Sequence, residues 1–287
     1  MKGLIGGLLG LALIVLGGLF AAGAGLQRGV ETALAESGST AAAVTVEGLP
    51  ARLLLRLWAP ELRAPDGRAG WSGAELSASA GVFAPLDWRV DLPPGQVLML
   101  DGRDYVISAE AMQIEAAFGA RESLPLRRAG FGAARLAVTP GTGLPVALAA
   151  RDLRADLIAR PPTAEAPAPA GGALYRLSAR AAALGLPPEI MAQLSQDGRA
   201  PPAEVENLSL EVDFGLARPL DRHARAGMLY PTAIEITRGQ LDWGGRRIEI
   251  SGPLDFDALG RPEGRLMLRL PDWRGWLDLA REAGLLP

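Results

Sequence analysis

Residues 208–214 read LSLEVDF, so Leu208, Leu210, Val212 and Phe214 alternate with Ser209, Glu211 and Asp213. In an extended chain successive side chains point to opposite faces, and this stretch therefore buries one face and wets the other. The same period of two recurs on both sides of it. Trp88, Val90 and Leu92 alternate with Asp87, Arg89 and Asp91; Leu266, Leu268 and Leu270 alternate with Arg265, Met267 and Arg269. Ile234 and Ile236 flank Glu235, and Ile248 and Ile250 flank Glu249. Further strands are expected over 52–58, 97–100, 105–109, 112–118, 135–139, 146–159 and 174–180.

One-sided strands of this kind pair antiparallel. Turn chemistry agrees: Pro65-Asp66-Gly67, Asp101-Gly102 and Gly244-Gly245 lie between extended runs, where tight hairpins need positive φ. Two short helices are expected to interrupt the sheet. One opens at Pro187-Pro188-Glu189 and runs through Gln196 to Asp197-Gly198; the other covers Trp273 to Ala283 and ends at Gly284. The proline-rich stretch 161–172 reads as an extended loop. The fold class is thus mainly β: an N-terminal transmembrane helix, then a large curved antiparallel sheet or open-barrel meander. GQVLMLDGRDYVISAEAMQIEA from Gly95 also echoes GQLDWGGRRIEISGPLDFD from Gly239 with one gap. Any glycine-turned hairpin has this look, and a repeated meander is the other reading.

The N-terminal stretch differs from all of this. From Leu4 to Leu26 the chain runs 23 residues without a charge, preceded by Lys2 and followed by Gln27 and Arg28. At about 1.5 Å per residue that length crosses a hydrocarbon core of roughly 30 Å. It exceeds the apolar region a cleavable signal needs, so residues 1–29 read as an uncleaved anchor in preference to a signal peptide cut near Ala22-Gly23-Ala24. Lys2 and the α-amino group, against Arg28 and then Glu31 and Glu36 on the other side, place the N-terminus in the cytoplasm by a small bias. The expectation is a single-pass inner-membrane protein whose β-rich domain, residues 30–287, stands in the periplasm.

Composition removes reaction classes. The chain has 287 residues, 49% of them hydrophobic, no cysteine and one histidine. A zinc cluster, a disulfide framework, a cysteine nucleophile and a multi-histidine metal site all lack their residues. Net charge −3 with scattered arginines gives no footprint for nucleic acid. His223, among Asp221, Arg222 and Arg225, is the one imidazole base on offer, and no Gly-x-Ser-x-Gly elbow supplies it a serine. Asp255 and Asp257 in LDFD share one side of a strand and are candidates for paired carboxylates or a cation site, yet an ordinary wet face explains them better. Glu204, Glu206, Glu211 and Asp213 carry the same ambiguity. No catalytic, cofactor-binding or metal-binding residue is assigned, and no cofactor is expected. Among the six tryptophans, Trp58 and Trp88 read as core. Trp273 and Trp276, beside Arg269, Arg274 and Arg281, either cap an end of the sheet or lie at a membrane interface.

Several stretches resemble an uncharacterised domain-of-unknown-function family of alphaproteobacterial membrane-anchored envelope proteins. They are the anchor, Gly48-Leu49-Pro50, APELRAPDGRAGWSGAELSASA with Trp71, WRVDLPPGQVLMLDG, LPPEIMAQLSQDG and GPLDFDALGRPEGRLMLRLPDW with Asp255, Gly260, Gly264 and Trp273. SGPLDFDALGRPEGRLMLRL is also distantly similar to the repeat of AsmA and TamB type lipid-handling proteins, which implies a long curved sheet with an apolar inner face. These motifs are structural, and no catalytic residue comes with them. The functional expectation is a non-enzymatic envelope protein whose sheet binds or transfers lipid or other apolar groups. The competing expectation is a scaffold or assembly factor that holds another envelope protein along its sheet edges.

Overall fold

The alternation is realised as strands in a computed structural model, which describes residues 30–32, 34–35, 38–47, 52–64, 67–141, 147–163, 168–169, 171–188, 191–192, 202–224, 230–257 and 260–282. The expected anchor lies outside these residues, as do Pro65 and Asp66 and most of the expected helix after Pro187. The beginning of that helix is seen: Pro188, Met191 and Ala192 are helical, and Met191 N donates to Pro187 O. The chain divides into two compact units, Met1–Leu144 with Asp221–His223, and Pro145–Leu220 with Ala224–Pro287.

The first unit contains β1 (Ala43–Glu47), β2 (Arg52–Trp58), β3 (Glu61–Arg63), β4 (Ala69–Gly73), β5 (Glu75–Gly81), β6 (Ala84–Asp91), β7 (Gly95–Leu100), β8 (Arg103–Glu110), β9 (Gln113–Phe118) and β10 (Leu126–Pro140). Their registers reduce ten strands to six. β2 pairs with β5 and β3 with β4; β6 pairs with β9 and β7 with β8; β10 pairs with β9 through its first half and with β8 through its second. Each of β2–β3, β4–β5, β6–β7 and β8–β9 is therefore one long strand, bent once. Thr40 bridges Glu61 in the register that pairs β1 with β2, so the first strand also passes the bend. The result is a six-stranded up-and-down meander.

The bends fall on one line across the meander, and small or ring-locked residues mark it. Following the registers from strand to strand, the line passes Ala42, Ala59, Ala74, Pro93-Pro94, Ala111 and Ala133-Ala134. Ala59 and Ala111 sit at φ 43° and 51°, a conformation that bulky side chains resist. Prolines without N–H interrupt the ladder there without orphaning a donor. A flat single sheet leaves both faces in water. A sheet creased across every strand turns its two halves toward each other, and the shared face is where full burial occurs. Ala78, Val90, Ile107 and Val138 have no exposed surface; Leu55, Leu76, Trp71 and Leu98 are within 2% of none. Each fully buried Val, Leu or Ile among them stabilises by about 1.5–3 kcal/mol.

Trp88 belongs to this core as expected, but Trp58, at the end of β2, is 43% exposed. A buried amide fixes the geometry beside the crease. Gln96 Oε1 accepts from Trp71 Nε1 at 2.7 Å, and Gln96 Nε2 donates to Pro93 O at 2.7 Å and lies 3.3 Å from Met112 Sδ. Helical residues at 30–32 and 34–35 precede the first strand, and Val30 among them is buried. Ser39, just after them, accepts from Arg63 N through its hydroxyl.

The second unit contains β11 (Leu148–Arg160), β12 (Ala173–Gly185), β13 (Glu204–Leu216), β14 (Pro231–Trp243), β15 (Arg246–Phe256), β16 (Pro262–Gly264), β17 (Met267–Arg269) and the helix α1 (Trp273–Glu282). Each strand from β11 to β15 pairs antiparallel with the next, and β16 and β17 continue one register along β15. This too is a six-stranded meander. The break between β16 and β17 lies opposite Gly252, whose φ is 131° and where an added Cβ would come 2.3 Å from Arg265 O.

The sequence echo has a structural counterpart. Its two copies are the hairpin of the fourth and fifth strands in each meander: β7 into β8, and β14 into β15. Both turn through two residues at positive φ, Asp101-Gly102 and Gly244-Gly245. The one-residue gap flips a side chain between faces. Gln96 shares the buried face with Ile107, whereas Gln240 pairs with Glu249 on the wet face.

Candidate apolar binding face

The residues that composition left as chemical candidates are engaged locally. His223 is in an exposed turn, with its backbone N–H donated to Asp221 Oδ1 and its Nε2 accepting from Arg222 Nε at 3.1 Å. Asp255 faces Glu263 in the ladder, while Asp257 lies beyond the end of β15 and closes the loop that follows. It accepts from Arg261 N at 2.9 Å and from Arg261 Nε at 2.7 Å, so its carboxylate is committed to that turn. Among the described residues no group of three or more acidic or histidine side chains is placed to hold a metal ion.

The acidic stretch of β13 serves cross-strand pairing on the wet face. Asp213 accepts a two-pronged bond from Arg176, at 2.7 Å on each oxygen, and a third from Arg160 at 2.6 Å. The Arg176 fork, followed by the charges of Arg176 and Arg160, holds the Asp213 carboxyl below the usual carboxylate range. Glu204 takes Arg151 at 2.8 Å. Asp242 is lowered by the bond from Arg247 and then by that from Asn207. The first unit carries a shallow depression of about 250 Å³ lined by Arg52, Trp88, Arg89, Glu115 and Arg128 among others. Glu115 holds Arg128 at 3.4 Å and Arg89 at 3.7 Å, and Arg89 also bonds Gln113, so two of its three arginines already have acceptors.

What the second unit does offer is its other face. The registers place Leu157, Leu177, Val212 and Ile236 in one row, Ala159, Tyr175, Phe214, Ile234 and Leu254 in the next, and Ala179, Leu210, Ile250 and Leu268 in a third. Aliphatic and aromatic side chains thus succeed one another across the sheet with no charge among them. Their cover is incomplete: Tyr175 and Val212 are buried, the residues around them from Leu157 and Leu177 to Leu210, Phe214, Ile234, Ile236, Ile250 and Leu254 are half-buried, and Leu268 on β17 is 60% exposed. Where cover is greatest Tyr175 stacks on Phe214 at 5.8 Å, and its hydroxyl accepts from Leu220 N at 2.8 Å, which pins the loop after β13 over the sheet.

Trp273 and Trp276, the pair assigned to a cap or a membrane interface, are placed differently from one another. The Trp276 ring lies 5.9 Å from that of Trp243, and its Nε1 donates to Arg247 O, so it packs on the β14–β15 turn. Trp273 is 52% exposed, with the Arg274 guanidinium 4.8 Å above its ring. Periodicity did not separate these two jobs, because both residues lie on one side of an amphipathic helix. No helix among the described residues is long and apolar enough to cross a membrane.

No curated protein matches the chain, and no solved structure matches it. One family model does, over residues 20–287. That span takes in both meanders and α1, so the chain belongs to the bacterial family described as "Uncharacterized protein conserved in bacteria (DUF2125)".

Proposed function

We propose that this is a non-enzymatic, membrane-anchored envelope protein whose second meander holds an apolar chain, such as a lipid acyl group, along its aliphatic face. The observation that carries the reading is the half-covered face itself: three uncharged rows spanning the strands, buried only at Tyr175 and Val212, half-buried around them and open at Leu268 on β17. An aliphatic face left half-wet costs roughly 25 cal/mol for every Å² that an occupant would cover. A ligand needs no hydrogen bond to gain that energy, which suits a hydrocarbon chain and gives no grip to a polar substrate. The charged face opposite is laced into ion pairs and keeps the sheet wet on its other side. The sequence features that support a place in the inner membrane are the uncharged run from Leu4 to Leu26 and its flanking charges.

Native mass spectrometry of the full chain released from membranes in a mild detergent tests this. Adducts of lipid mass are expected, and they should diminish in Ile236→Asp with Ile250→Asp. A chain that carries no lipid, and that binds none when lipid is supplied, sinks the reading.

A further inference from the structure

Ten large apolar side chains are conspicuously exposed among the described residues, and four of them lie within eight positions: Leu266 at 42%, Met267 at 66%, Leu268 at 60% and Trp273 at 52%. The same stretch carries Arg265, Arg269 and Arg274. Arg269 reaches Glu249 at 3.7 Å, whereas Arg265 and Arg274 have no carboxylate partner among the described residues. Asp272, the acid nearest Arg274 in sequence, is occupied as the N-terminal cap of α1, accepting from Gly275 N at 3.2 Å. Elsewhere on this unit Arg151, Arg160, Arg176, Arg247 and Arg261 are each matched to an acid. Here positive charge and apolar area are left together.

We infer that the patch from Arg265 to Arg274 rests on the headgroup layer of an anionic phospholipid bilayer. An exposed indole flanked by guanidinium groups suits that layer, where the ring meets the upper acyl chains and the cations meet phosphate. The edge of β16–β17 sets the depth. Its outward N–H and C=O groups need water or phosphate, so the strand stays among headgroups and does not enter hydrocarbon. A partner strand added along that edge is the other occupant such an edge could take. Three features oppose it: Pro262 and Pro271 bracket the segment, the strand breaks at Arg265–Leu266, and charged Glu263, Arg265 and Arg269 line it. Trp276 has a separate task. By packing on Trp243 it holds α1 so that Trp273 faces outward.

The patch rests on the membrane-attached reading for its location and not on the bound acyl chain, and the two are tested by different signals. The full chain is placed in lipid nanodiscs, zwitterionic or enriched in anionic phospholipid, with bromines near the carbonyl end of the acyl chains. The Trp273 component of the fluorescence is the difference between the parent chain and Trp273→Phe. It should be quenched in anionic discs, less so in zwitterionic ones, and the quenching should be lost in Arg265→Gln with Arg274→Gln. If the chain fails to insert, the anchored reading falls, and the same quenching is read with discs added in solution. An unquenched Trp273 component, or quenching indifferent to both lipid charge and the arginines, overturns the inference. So does hydrogen-exchange protection of 262–269 without quenching, the mark of an added strand.

Discussion

The two meanders have the same strand count and share an echoed hairpin, yet they make opposite use of their apolar faces. Of the 29 buried apolar residues described, 22 belong to the first unit and seven to the second. The crease accounts for the contrast. In the first unit alanines and prolines bend every strand on one line, and the sheet covers its own face. In the second, positive φ at non-glycine positions is confined to Asp152 and Asn207, both opposite Ala182 by register, and β14 and β15 run past that row without such a residue. Its far strands therefore stay open. The same alternating pattern becomes either a core or a binding face according to whether the backbone bends.

The sharpest way to break this comparison uses the echo. Ile107 and Ile250 hold the same place after the turn, one fully buried and the other half-exposed. Ile107→Ala should cost about 2–5 kcal/mol, and Ile250→Ala about 1 kcal/mol, by denaturant unfolding. Equal costs would mean that the second face is as well covered as the first. Next in size, Gln96→Leu leaves Trp71 Nε1 and Pro93 O without partners beside the crease. A loss of about 1–3 kcal/mol is expected, with amide protection falling first over residues 93–112.

A smaller effect belongs to the wet face of the second unit. Arg176 depresses the Asp213 carboxyl, so its contribution is complete above the unfolded carboxylate pKa, near 3.9, and is lost as pH falls through the lower folded value. Asp213→Asn should thus lose up to about 1 kcal/mol at neutral pH and little in acid, which a pH series of thermal unfolding would show. The parent and the variant converging at neutral pH instead would remove that ion pair from the comparison. Smallest is Ala111→Gly, which relieves a positive φ at the crease and is expected to gain about 0.5 kcal/mol. A loss there would show that the alanine methyl packs in the fold of the sheet.

Much of this architecture was legible in the sequence where side chains alternate in size. β2 was expected over its observed bounds, and the hairpins at Asp101-Gly102 and Gly244-Gly245 followed from turn residues. The strands without that contrast were missed. Glu75–Gly81 reads ELSASAG, whose small residues have low strand preference and gain their place by packing at the crease. β1, β3, β4 and the first half of β10 are short or glycine-bearing and were missed for related reasons. The crease was illegible because it is a row of alanines brought together by register across six strands, and no local window contains two neighbours of that row. The apolar face was legible residue by residue, but its incomplete cover was not. Exposure depends on what lies above a sheet, and alternation reports only which side a residue faces.

The most direct measurement is photocrosslinking of the full chain in membranes with a lipid that carries a diazirine in its acyl chain, followed by peptide mapping. Adducts concentrated on 204–216, 231–243 and 246–256, and sparse on 69–118, are the expected result. Adducts spread evenly over both meanders, or absent from the second, would contradict the claim that its open face is where an apolar chain is held.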